Sequence, residues 1–186
     1  LLANMAAMYA VYHGPNGIAA IASRVHTLAR ILESELAELG VAQINPHYFD
    51  TLWVKVPSEA ERVRRRAEES GINFNVLDAD TISIALNETV DTAGLRDIVG
   101  VFATALDKRP RVIDCEAAAA SLQSVSVDRF PSGLRRTSTF LTHPVFNTHH
   151  SETEMMRYIR SLERKDLGLD TSMIPLGSCT MKLDAA

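Results

Sequence analysis

Between Ile18 and Leu39, apolar side chains recur every three or four residues, at Ile18, Ile21, Val25, Leu28, Leu32, Leu36 and Leu39. That spacing follows the 3.6-residue turn, so the stretch predicts one long helix from about Gly17 to Leu39 with an apolar stripe. Arg24, Arg30, Glu33 and Glu35 fall outside the stripe. Gly40 stands where a left-handed terminator is wanted. A stripe of this length has to be buried against another layer, and the remaining chain must supply that layer.

Upstream, Leu1 to Tyr12 reads as helical, and His13-Gly14-Pro15 interrupts it. Downstream, Tyr48 to Val56 is rich in aromatic and β-branched residues, and Leu52, Val54 and Val56 alternate with Thr51, Trp53 and Lys55. The two-residue period predicts a strand. Ser58 and Glu61 have the spacing of a capping box, opening a charged helix that ends at Gly71. Ile72 to Leu77 and Thr81 to Leu86 flank Asp78-Ala79-Asp80, which predicts two short strands joined by a tight turn. Leu95, Ile98, Val99, Phe102 and Leu106 then give a last helix its apolar face, with Asp91 or Thr92 as its cap. The element order predicts a small antiparallel or mixed sheet with helices on one face, an α/β arrangement in the broad sense.

From Lys108 to Thr139 regular periodicity stops. Four alanines, several serines, Pro110, Pro131 and the Arg135-Arg136 pair read as a linker, with one short helix at Glu116 to Leu122. Beyond it, Pro144 restrains an extended entry, and Ser151 with Glu154 forms a second capping-box spacing. Met155, Ile159 and Leu162 place one stripe against something, and Gly168 offers a stop. Pro175 and Gly177 shape a turn that presents Gly177-Ser178-Cys179-Thr180, small and hydroxyl-bearing residues that let a ligand approach backbone amides, as an anion or carboxylate site requires.

Composition excludes several classes. The formal net charge is -4, so there is no basic footprint for nucleic acid. No apolar run is long enough to span a bilayer, and no signal peptide is visible, so no membrane partner is expected. Cys115 and Cys179 are far apart and form neither a disulfide framework nor a paired metal motif. His143, His149 and His150 lie near Glu152 and Glu154, but adjacent histidines point apart and Glu154 serves the helix cap, so no metal is expected. His13 and His47, at element boundaries, read as packed or hydrogen-bonded histidines.

The segment THPVFNTHHSETEMMRYIRSLERKDLGLDTSMIPLGSCTMKL resembles the opening of the second half of the glycine cleavage system P-proteins, with SETEMMRY and PLGSCTMK in the same order. LLANMAAMYAVYHGPNG and HYFDTLWV are similar to segments of the first half of that family. The resemblance implies a segment of a longer chain straddling the junction of two homologous halves. Residues 1–107 would be the small C-terminal domain of the first half, an α+β domain of a fold-type I pyridoxal-phosphate enzyme. Residues 108–139 would be the linker, and 140–186 the mostly helical N-terminal arm of the second half. The apolar opening and the uncapped Leu183-Asp184-Ala185-Ala186 end agree with an excised piece.

As the resemblance implies, the whole enzyme decarboxylates glycine on pyridoxal phosphate and passes the aminomethyl group to the lipoyl arm of the H-protein. The expected partners are the lipoylated H-protein, the remaining P-protein halves in a homodimer, and glycine. The expected compartment is bacterial cytoplasm, with the mitochondrial matrix as the alternative. The family's aldimine lysine lies in a His-Lys pair before a glycine-rich loop, and none of Lys55, Lys108, Lys165 and Lys182 has that context. No catalytic residue is therefore expected here, and the piece alone is expected to be inactive. Gly177, Ser178, Cys179, Thr180 and Lys182 are the expected contacts to cofactor, substrate or lipoyl arm, the other reading being a structural turn. A non-catalytic interaction or regulatory module of the same family is the alternative function. An aminotransferase or desulfurase of the same fold type is disfavoured by the paired SETEMMRY and PLGSCTMK motifs.

Overall fold

The computed structural model describes residues 1–109, 131–168, 171 and 173. The chain divides into two compact units, residues 19–137 and residues 1–18 with 138–186. The expected helix at Glu116 to Leu122 and the Gly177 to Lys182 turn lie outside the described residues.

In residues 19–137 the long apolar stripe belongs to α1 (Leu2–Glu38), which ends as the sequence predicts. Gly40 adopts φ +74°, and the Gly40 and Val41 N–H groups donate to Ala37 O and Leu36 O at 2.8 and 2.9 Å. This paired arrangement satisfies carbonyls that the last turn would otherwise leave open. The stripe is wider than the sequence suggests, because Ala29, Ile31 and Glu35 are also buried. Glu35, expected outside it, is 7% exposed.

Four strands follow in the order β1-β2-β4-β3, all antiparallel: β1 (Ala42–Gln43), β2 (Thr51–Lys55), β3 (Asn75–Val76) and β4 (Thr81–Ala85). Leu52 faces Ile84 and Val54 faces Ile82 across the central pair. Period-two alternation puts these four on one side, and all are buried in a single cluster with Leu32 and Leu36 of α1. The same cluster takes Val63 and Ala67 from α2 (Ala60–Glu69) and Leu95, Val99 and Phe102 from α3 (Thr92–Ala105). Helices therefore cover one face, as expected. On the other face Trp53, opposite Ser83, remains 45% exposed.

Local chemistry fixes the connections. Asp91 accepts from Gly94 N–H at 2.9 Å, the expected cap of α3. Arg24 of α1 donates to the carbonyls of Glu88 and Val90 at 3.2 and 2.9 Å, holding the loop before α3. The Asp78-Ala79-Asp80 turn joins β3 to β4, and Asp80 N–H donates to Asp78 Oδ1 at 2.8 Å.

The expected capping box at Ser58 and Glu61 is overturned. Helix α2 begins at Ala60 behind Glu59, without a side-chain cap. Ser58 sits at φ +58° with its N–H donating to Asp80 Oδ1 at 2.8 Å, while Glu61 is drawn to Arg64 and Arg65. The strand expected over Ile72 to Leu77 is reduced to Asn75–Val76, and the two-residue β1 has no counterpart in the predicted order.

In the second unit, the first turns of α1 run through the predicted interruption as a kink. Gly14 adopts φ 62° and ψ -177° within the helix, directly before Pro15, a backbone region open essentially to glycine. A 3-10 turn spans Pro144–Asn147, and α4 spans Glu152–Glu163 with Ser151 as its cap, accepting from Glu154 N–H at 3.3 Å. The α4 stripe is shallow: Met155 and Leu162 are half-buried and Ile159 is exposed. The helix closes at Arg164, ahead of Gly168.

Candidate functional site

The segment leading to the predicted Gly177 to Lys182 turn is an arm, residues 140–151, braced by its own polar groups. Leu141 takes φ +50°, a costly conformation for a γ-branched residue. Asn147 holds it there, its Nδ2 donating to Leu141 O at 2.9 Å and to His143 O at 3.1 Å. His143 Nδ1 accepts from Val145 N–H at 3.2 Å, and Thr148 Oγ1 donates to Pro144 O at 2.7 Å. Pro144, without an N–H, suits the first position of the short turn that these bonds close.

The arm docks on the kink. His150 Nδ1 lies 2.7 Å from Tyr12 O; a carbonyl only accepts, so this nitrogen carries the proton. A Cβ placed on Gly14 would lie 2.6 Å from Phe146 O and 2.7 Å from His150 Cε1. Gly14 thus meets two demands at once, an unusual backbone angle and close approach. His149 stacks on Tyr158 of α4, with centroids 4.3 Å apart and an angle of 16°. His13 packs against Tyr9 at 4.3 Å and meets Tyr12 edge-on at 5.1 Å.

The histidines are thus placed by ring contacts and backbone hydrogen bonds. Among the described residues no three of His, Cys, Asp and Glu gather as a metal site would need. His47, expected to be packed or hydrogen-bonded, is exposed. His26 carries a contact that sequence reasoning missed. Its Nδ1 lies 2.7 Å from Phe49 O and its ring stacks on Phe49 at 5.1 Å, beside Tyr48, whose hydroxyl donates to Glu33 Oε2 at 2.6 Å. These partners lie 15 and 23 residues away in sequence, beyond the reach of any local pattern.

A pyridoxal-phosphate site requires a lysine for the aldimine beside groups that hold a phosphate. The described lysines do not meet that requirement. Lys55 lies on the open face of the sheet, 3.9 Å from Asp80 Oδ2. The Lys108 ammonium donates to Leu39 O, closing the C-terminal end of α1. Lys165 is exposed in the turn after α4. A groove of about 480 Å³ between α2 and α3 is lined by Arg66, Glu69, Arg96, Asp97, Gly100 and Thr104 among others, with no lysine. Arg66 is held by Glu69 at 2.7 Å. The described residues therefore do not fit the cofactor. The expected contacts Gly177, Ser178, Cys179, Thr180 and Lys182 lie outside the described residues.

Comparison with known proteins supplies what this geometry does not. The family described as glycine cleavage system P-protein matches residues 1–102. The glycine dehydrogenase (decarboxylating) of Flavobacterium johnsoniae is 50% identical over 186 residues, all of this chain and 18% of the relative. The corresponding protein of Stenotrophomonas maltophilia is 49% identical over 185 residues, again 18% of its own length, and that of Christiangramia forsetii is 49% identical over 186 residues. The chain thus spans 18% of the length of these relatives. It matches them throughout and belongs to the glycine cleavage system P-protein family.

Proposed function

We propose that the chain is a segment of a pyridoxal-phosphate-dependent glycine decarboxylase that transfers the aminomethyl group of glycine to the lipoyl arm of the H-protein. One observation carries this reading: identity near one half holds across the whole chain with proteins bearing that decarboxylating name, of which the chain is 18%. In that assignment residues 1–107 are the small domain of the first half of a fold-type I enzyme, 108–139 the linker, and 140–186 the arm of the second half. The small antiparallel sheet covered by helices on one face supports the small-domain reading.

The segment's own work is structural, with one loop of the site. Gly177, Ser178, Cys179, Thr180 and Lys182 are its contacts to cofactor, substrate or lipoyl arm. The aldimine lysine lies in another part of the parent. The bacterial cytoplasm is the compartment that suits the bacterial relatives.

An absorbance titration of the purified chain with pyridoxal phosphate, followed by borohydride reduction and mass mapping, tests this assignment. The expected result is no specifically labelled lysine. Stoichiometric labelling of Lys182 alone would place an independent aldimine site in the segment and overturn it.

A further inference from the structure

The groove of about 480 Å³ between α2 and α3 lies wholly within residues 19–137, and its volume falls in the range of clefts that hold small organic ligands. Most such clefts are apolar. This one is walled by charge and hydroxyls: Arg66, Glu69 and Ser70 at the end of α2, and Arg96, Asp97 and Thr104 along α3. Two guanidiniums and two carboxylates leave the walls neutral and of mixed sign. An anion entering them meets Glu69 and Asp97, and a cation meets both arginines. A small molecule that carries one group of each sign suits them better than either.

Two of the charged groups have capacity for a ligand. Arg66 Nη1 donates to Glu69 Oε2 at 2.7 Å, a bond that occupies one of the five donors of its planar fork and leaves the others able to take a carboxylate. Asp97 has no hydrogen bond or ion pair among the described residues.

The floor of the groove makes the same point independently. Gly100 stands inside α3, where glycine is disfavoured relative to alanine. Its φ is not positive, and a Cβ placed on it would meet nothing within 4 Å. Neither backbone angle nor packing among the described residues calls for a glycine there. What the missing Cβ provides is open floor, on which a ligand can approach the helix backbone closely.

We propose that this groove binds a small zwitterion, an amino acid or short peptide, with its carboxylate on Arg66 and its ammonium on Asp97, above Gly100. The inference uses these residues alone and stands apart from the proposed activity. The charged walls are exposed, so water and salt compete with the ligand, and binding is expected to be weak and to weaken further with added salt.

Nuclear magnetic resonance of the isotope-labelled full chain, titrated with glycylglycine at low salt, tests the proposal. Saturable shifts are expected at the amides of residues 66–70 and 96–104. N-acetylglycine keeps only the carboxylate and glycinamide only the ammonium, and each is expected to bind about tenfold more weakly, as loss of a charge-assisted hydrogen bond implies. Asp97→Asn is expected to weaken glycylglycine binding by about the same factor at an unmoved urea midpoint, while Glu88→Gln, outside the groove, retains wild-type affinity. Gly100→Ala is expected to raise the urea midpoint and yet weaken binding, a pairing that loss of the fold does not produce. The proposal is overturned if no saturable shift appears at these amides, or if either one-charge analogue binds as tightly as glycylglycine. Wild-type affinity in Asp97→Asn or in Gly100→Ala overturns it as well.

Discussion

In residues 19–137, Leu32, Leu52, Ile82, Leu95 and Phe102 are all buried in one cluster, whereas among the described residues of the other unit only Val11 and Gly14 are buried. The sheet unit is held by apolar area removed from water, a non-directional force that tolerates small shifts of position. The arm of the second unit is held by directed contacts: the Asn147 amide on two carbonyls, the His150 imidazole on Tyr12 O, and backbone approach at Gly14. Directed contacts fail when one atom is misplaced. The same kind of change should therefore act differently in the two units.

The largest effect belongs to the core. Phe102→Ala empties a fully buried site beside Phe74, whose ring lies 5.6 Å away, and is expected to cost about 3–5 kcal/mol. Urea unfolding followed by circular dichroism would read this as a lowered midpoint at unchanged slope. A loss below about 1 kcal/mol would mean that the site collapses freely, and the contrast between the units would then be false.

Gly14→Ala tests the other side. A backbone region reserved for glycine costs roughly 1–3 kcal/mol for other residues, and the added methyl would also overlap Phe146 O and His150. The cost is expected to appear locally, as faster hydrogen exchange of the amides between His143 and Ser151, with the urea midpoint of the sheet unit unmoved. Exchange unchanged from wild type would show that the arm does not depend on the kink.

What the sequence discloses follows the same division. The α1 stripe, its Gly40 terminator and the caps Asp91 and Ser151 are legible because each depends on residues within one or two turns. The Ser58 to Glu61 spacing misleads because the Ser58 N–H is taken by Asp80, 22 residues on, and the helix start moves accordingly. Strand β1 is two residues long, too short for a period to show. At the arm, the sequence discloses a break at Gly14 and an extended entry at Pro144, but not that one docks on the other. The contact between His150 and Tyr12 joins residues 138 apart, and no local pattern encodes such a pair. The reading of Gly177 to Lys182 rests on family resemblance, since small and hydroxyl residues in a row make a weak signal by themselves, and these residues lie outside the described ones.

The two caps sharpen the comparison at a smaller scale. Asp91→Ala and Ser151→Ala each remove an acceptor from a helix N-terminus and are expected to cost about 1 kcal/mol. The location should differ. Helix α3 is part of the buried cluster, so the Asp91 change should lower the urea midpoint, whereas α4 has no buried residue among those described, so the Ser151 change should fray its first turn. Restoring the midpoint with Asp91→Asn would assign the loss to the cap bond, since asparagine caps as well as aspartate.

The smallest effect is electrostatic and lies on the exposed face of α2. The Arg64 guanidinium, donating to both Glu61 oxygens at 2.7 and 2.8 Å, holds the Glu61 carboxyl down at about 2, with Arg65 adding to it. A folded-state value depressed below the ordinary 4.5 means that the contribution is present above about 4.5 and fades as pH falls towards about 2. Solvent screens such pairs, so their worth is small and falls further with added salt. Glu61→Gln is therefore expected to leave stability nearly unchanged at acid pH and to lower it slightly at neutral pH, flattening the urea midpoint's rise between those limits. A variant more stable than wild type at neutral pH, with the difference fading on acidification, would reverse the sign and show that the Glu61 carboxylate is disfavoured in the fold instead of held by Arg64.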